Sequence, residues 1–209
     1  MNSKNFRNSP LFLRNEFKTD GRWGFPVIKR QEFDLSNIEL ISCSDISNHD
    51  TKNLHKGIHH FVDDYRFEGL YTHPERSIPR YSRYRFALTP DFSLYSEMDP
   101  WRQIESVGKS RWVGANWQKN GMIVFPTISW GQASSFDYCY DGVEKHSIVA
   151  VGMIGCKHSR TGFMRGYNEM LNRIEPDGII CLGEPYPEME GNVISVNYIS
   201  SRRDLRNGR

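Results

Sequence analysis

The sequence predicts an α/β protein with a mostly parallel sheet of five to seven strands and crossover helices. Three observations lead there: short apolar runs recur along the chain, they are continuous rather than alternating, and two long connectors carry apolar residues at helical spacing. Continuous runs belong to strands buried on both faces, and a sheet covered on both faces is typically parallel. Strand starts near 59, 84, 122, 147 and 178 leave 25 to 40 residues per unit, the length of a repeated βαβ. A closed eight-stranded barrel needs about 250 residues. In 209 residues a compact or incomplete (β/α) barrel therefore competes with an open doubly wound sheet.

In chain order, residues 1–35 read as an irregular basic arm packed on the domain, because Gly21, Gly24 and Pro26 interrupt any regular element. Residues 36–200 form a single α/β domain, with strands expected at IELISC (38–43), HHFVD (59–63), YRFALT (84–89), MIVFPTISW (122–130), SIVAVGMIG (147–155), GIICLG (178–183) and NVISVNY (192–198). The first long helix opens with Asp99 as N-cap and Pro100 at the first helical position. It turns Trp101, Ile104, Val107, Trp112 and Ala115 inward and stops at Gly121. The second runs from a cap at Ser159 to Pro176, with Phe163, Met164, Tyr167, Met170, Leu171 and Ile174 inward. A short helix is expected within SSFDYCYDGVEK, and 201–209 form a basic tail.

Composition excludes several classes. The longest apolar runs are too short to cross a bilayer, so no membrane partner is expected, and MNSKNFRNSP lacks an apolar signal core. Cys43, Cys139, Cys156 and Cys181 are widely spaced and read as reduced thiols of a cytoplasmic protein. A net charge of +2 does not by itself imply a polyanionic partner. The basic residues cluster, however, and Arg14, Arg22, Arg30, Arg202 and Arg203 are the candidates for a nucleic-acid face.

Ligands of parallel α/β folds bind beyond the carboxyl ends of the strands. There the chain places Asp63, Asp64, Asp91 and Glu184 as candidate catalytic acids, with Thr127, Ser129 and Trp130 as ligand-binding neighbours. Strand neighbours face opposite sides, so one of Asp63 and Asp64 points into the site while the other pairs with Arg66 or caps a helix. Converging carboxylates can divide acid and base roles, or hold a hard cation such as magnesium or manganese through Asp63, Asp91 and Glu184. GCKHSRTG joins a glycine, basic side chains and a helix start, an anion cradle with Lys157, Ser159 and Arg160 as ligand contacts. In HKGIHH, Gly57 spoils the helical spacing of a zinc pair; His60 reads as a core histidine and His59 as solvent-facing. Lys145 precedes its strand, the wrong end for catalysis, whereas Cys156 lies at the correct end. Most of the five tryptophans are expected in the core, with Trp130 the exception. The familiar phosphate-loop, dinucleotide, nucleophile-elbow and zinc-helix motifs are absent.

LRNEFKTDGRWGFPVIKRQ, GIHHFVDDYRFEG, YRFALTPDFSLY, RWVGANWQKNGMIVFPTISWG, DGVEKHSIVAVGMIGC and FMRGYNEMLNRI together resemble a family of unknown function carried by phages, plasmids and other mobile elements, mainly of Gram-positive bacteria. The resemblance covers 11–198 and implies a bacterial cytoplasmic setting, in phage biology or the contest between host defence and invading DNA. It assigns no catalytic residue. Three functions compete: an enzyme, such as a hydrolase, acting on a small phosphorylated or nucleotide-like ligand; a non-catalytic nucleic-acid-binding module; and an inhibitor or sponge directed at a host defence protein or signalling nucleotide.

Overall fold

The computed structural model describes residues 3–154 and 159–197. Two short helices, α1 (Ser3–Arg7) and α2 (Pro10–Leu13), precede an antiparallel hairpin of β1 (Thr19–Asp20) and β2 (Phe25–Pro26). Four parallel strands follow in consecutive order: β3 (Leu40–Ser42), β4 (Gly57–His59), β5 (Phe86–Leu88) and β6 (Val124–Phe125). Short helices α3 (Gly69–Thr72) and α4 (Ile78–Tyr81) join β4 to β5, and α5 (Pro100–Lys119) joins β5 to β6. A second parallel sheet holds β7 (Ile148–Gly152), β8 (Gly178–Leu182) and β9 (Val193–Val196), with α6 (Arg160–Ile174) between β7 and β8. The sheets touch through a parallel bridge between Thr127 and Ala150. There Ile128 N–H donates to the Ala150 carbonyl at 2.8 Å and Ala150 N–H to the Pro126 carbonyl at 2.9 Å. Among the described residues no strand closes the array into a barrel.

Side-chain parity sorts the core. Alternate strand residues Leu40, Phe86, Leu88, Phe125, Ile148, Ala150, Ile180, Leu182 and Val196 meet in one buried cluster drawn from both sheets. Their neighbours Ile41, Ile58, Ala87 and Val124 pack outward against Tyr81, Trp112 and Trp117, while Val149, Val151, Ile179 and Cys181 meet Phe163, Tyr167, Met170 and Ile174 of α6. Both faces of the strands are apolar for this reason. Gly114 lets α5 approach closely: a Cβ there would lie 2.6 Å from Thr89 and 2.7 Å from Ile28.

Part of the amino-terminal segment, from Phe25 onward, packs against the strands. Phe25 and Ile28 are buried, and Phe33 packs edge-on against Phe86 (5.3 Å) and Phe125 (5.2 Å). Several elements are shorter than the sequence predicts. β4 ends at His59, so Phe61 to Asp63 leave the sheet instead of completing the strand, and the stretch expected as a short helix is a 3-10 turn over Ala133–Asp137. Trp101 is corrected from inward to 63% exposed, because it sits in the first turn of α5, beyond the strand ends. Of the five tryptophans only Trp112 and Trp117 are fully buried.

Candidate functional site

The loops leaving β4 and β5 are tied together by a carboxylate. Asp64 accepts from Ser93 twice, from the backbone N–H at 3.1 Å and from the hydroxyl at 2.9 Å. Asp63 begins the 3-10 turn Asp64–Arg66, its side chain 74% exposed and 4.0 Å from Arg66. The strand has already ended, so the two neighbours diverge. The third acid, Asp91, follows β5 by three residues and accepts a hydrogen bond from the Ser129 hydroxyl beyond β6. The residue keeps some contact with solvent, but protein atoms enclose its carboxyl. Burial pushes that carboxyl up to about 6, the Ser129 hydrogen bond opposing the shift and the charge of Asp64 adding to it.

Behind Asp91 lies a cleft of ≈ 10 Å³, between the strand exits and α5, lined among others by Ser110, Arg111, Ser129 and Cys139. That is room for about one water molecule. Arg111 is buried, and its guanidinium donates to three carbonyls: Asp141 at 2.9 Å, Thr127 at 3.2 Å and Cys139 at 2.7 Å. Burial lowers its pKa to about 10. Arg111 and Ser93 are the residues the sequence reading missed. Arg111 continues the spacing of Ile104 and Val107, a signal of burial; nothing local marks Ser93.

The other candidates are placed differently. Thr127 is buried, its N–H donating to the Thr89 hydroxyl (2.8 Å) and its own hydroxyl to the Thr89 carbonyl (2.7 Å), so it joins β5 to β6. Trp130, expected to be the free tryptophan, packs on Phe163 (5.1 Å) and over Gly166, where a Cβ would lie 2.3 Å from its ring. Glu184 is exposed beyond β8, three strands from Asp91. Asp63, Asp91 and Glu184 therefore form no ligand set, and among the described residues no three His, Cys, Asp or Glu side chains are grouped to hold a metal ion. Ser159 starts α6 without a side-chain capping bond. Arg160 pairs with Glu188 and lies over the Tyr186 ring, while Lys157, Cys156, Arg202 and Arg203 lie outside the described residues. His59 is corrected to buried, at 1% exposure, because its strand position faces the inner cluster. His60 stacks on Tyr81 with its Nε2 3.2 Å from the phenol oxygen, and burial lowers its pKa to about 3.

The three described arginines of the nucleic-acid reading are each engaged. Arg14 lies 3.7 Å over Trp112 and donates to the Tyr71 carbonyl at 2.8 Å. Arg22 lies 5.1 Å over Trp23, and Arg30 sits 3.1 Å from Asp177. Arg30 and Asp177 also line a larger hollow than the cleft behind Asp91, ≈ 370 Å³ at the amino ends of β7 to β9. Its size is that of a ligand pocket, but its polar lining includes a half-exposed surface ion pair. Convergent acids sit at the opposite, carboxyl ends, and there we place the candidate site.

Parallel strands, crossover helices and polar loops gathered at the carboxyl ends define an α/β protein of the parallel-sheet class. Within it, the chain belongs to the family described as a domain of unknown function, DUF4417, whose model matches residues 17–199. It is similar to the Gene 1 protein of Mycobacterium phage L5, 33% identical over 177 residues that cover 83% of this chain and 77% of that protein. It is also similar to the Gene 1 protein of Mycobacterium phage D29, 40% identical over 129 residues, covering 60% of this chain and 48% of the relative. No solved structure matches the chain. Among the described residues no helix is long and apolar enough to cross a membrane.

Proposed function

We propose that this chain is an acid–base enzyme working over the carboxyl ends of β4 and β5 in the cytoplasm of a phage-infected bacterium. Asp91 carries the proton and Asp64 is the second carboxylate. The observation that carries the reading is the unequal surroundings of two acids on neighbouring loops, Asp91 enclosed and within reach of the Asp64 charge, Asp64 held by Ser93. Two acids with different environments are how a site divides acid from base at one pH. A carboxyl near 6 populates both protonation states around neutrality. The adjacent cleft suits the attacking water of a hydrolysis.

We also read the seven parallel strands as one open, barrel-like wall. Consecutive strand order, the Thr127–Ala150 bridge and the shared inner cluster support this. The phosphorylated ligand is not the class this geometry favours. Arg160 is taken up by Glu188, and the loops around Asp64 and Asp91 are acidic, so an uncharged or cationic substrate fits better.

The test is turnover of a panel of p-nitrophenyl acetate, phosphate and glycosides between about pH 5 and 8. The expected result is hydrolysis with a pH limb near 6, reduced roughly a hundredfold or more in Asp91→Asn with the fold intact. Undiminished turnover in Asp91→Asn, or none by the native chain on any panel member, overturns the reading.

A further inference from the structure

The carboxyl rim carries a second feature that acid–base chemistry does not use. Tyr65, Tyr95 and Trp101 are 74%, 62% and 63% exposed. Tyr65 and Tyr95 lie on the two loops that Asp64 and Ser93 tie together and Trp101 in the first turn of α5, where Gln103 pins the second loop by donating to the Tyr95 and Met98 carbonyls at 3.2 and 2.9 Å. The rings therefore border one rim.

Charge at this rim is one-sided. Residues 60–69 and 89–105 contain seven carboxylates against two arginines, and Lys109 of α5 adds one more cation by pairing with Glu68 at 2.8 Å and Glu105 at 3.5 Å, in a chain whose net charge is +2. Both arginines are committed within the rim, Arg66 to Asp63 at 4.0 Å and Arg102 to Glu105. Glu97 and Asp99 are exposed and have no ion-pair partner among the described residues. The rings already show the chemistry they accept, with the Arg66 guanidinium 5.3 Å from the Tyr65 ring and that of Arg102 5.5 Å from Trp101.

We infer that the Tyr65–Tyr95–Trp101 rim is a docking surface for an arginine-rich segment of a partner protein. Guanidinium groups stack on the exposed rings and pair with Glu97 and Asp99. Aromatic anchors surrounded by unmatched charge are where binding energy concentrates, and arginine satisfies both features at once. Nucleic acid is disfavoured at this rim, because its phosphates would face the same carboxylates. The inference is independent of turnover at Asp91.

A fluorescein-labelled hexa-arginine peptide, followed by anisotropy with the full chain at about 50 mM salt, tests it. Binding is expected, weaker for hexa-lysine. Trp101→Ala and the pair Glu97→Gln with Asp99→Asn should each weaken it roughly tenfold. All are surface changes, and circular dichroism checks the fold. Asp91→Asn should bind the peptide like the native chain. No binding overturns the inference, as does binding that Trp101→Ala leaves unchanged, which marks loose adsorption of a polycation. Binding seen only after removal of residues 198–209 would assign the rim to the chain's own basic tail, and also overturns it.

Discussion

Asp91 shows how one residue can be costly to the fold and useful at the same time. Its folded pKa of about 6 lies above the usual value of 3.8, so the folded chain holds the proton more tightly than the unfolded one. Stability from this group is therefore present at low pH and is lost as pH rises from about 4 through 6. Asp91→Asn keeps an acceptor for the Ser129 hydroxyl and removes the buried charge. The variant should be more stable than the native chain at pH 8, by up to about 3 kcal/mol, with the gain shrinking toward pH 4. Urea denaturation at both pH values measures this. A variant that gains stability while losing turnover is the trade expected of an active-site carboxylate. Asp91 was legible in the sequence as an acid at a strand exit. Ser93, the partner of Asp64, was not, because only the approach of two loops 29 residues apart gives that serine a role.

At the scale of elements, α5 is the brace behind the site. Arg111 reaches from its buried face to carbonyls on either side of the 3-10 turn, and those carbonyls have to be satisfied once they leave water. Arg111→Met should destabilise the protein by about 3 kcal/mol or more, since the apolar chain fills the space but leaves three acceptors short of a donor. Thermal unfolding checks the loss, and a value near zero would show that water replaces the guanidinium. The helix was readable from its apolar spacing and from the Asp99–Pro100 start, and the structure places it at Pro100–Lys119. The inward role given to Trp101 failed because helical spacing describes a stripe without saying how much of it extends past the sheet.

For the whole molecule, the consequential segment is the first 35 residues. Phe25, Ile28, Phe33 and Leu35 belong to the packing of the strands, so a chain beginning at residue 36 should lose cooperative unfolding altogether. A chain beginning at residue 14 removes α1 and α2, neither of which buries a residue, and should melt within a few degrees of the native protein. Calorimetry of the two truncations separates an integral arm from a removable one.

By itself, the sequence determined that apolar runs of strand length alternate with amphipathic connectors, and hence that the strands run parallel and their polar exits share an end. Both follow from local chemistry, the hydrophobicity of each short run and the spacing within each connector. Only the tertiary structure decided which exits meet: Asp64 with Ser93, Asp91 with Ser129, and Glu184 left apart. That choice depends on strand order and on where each strand stops, properties of contacts between residues distant in sequence, which no local pattern encodes.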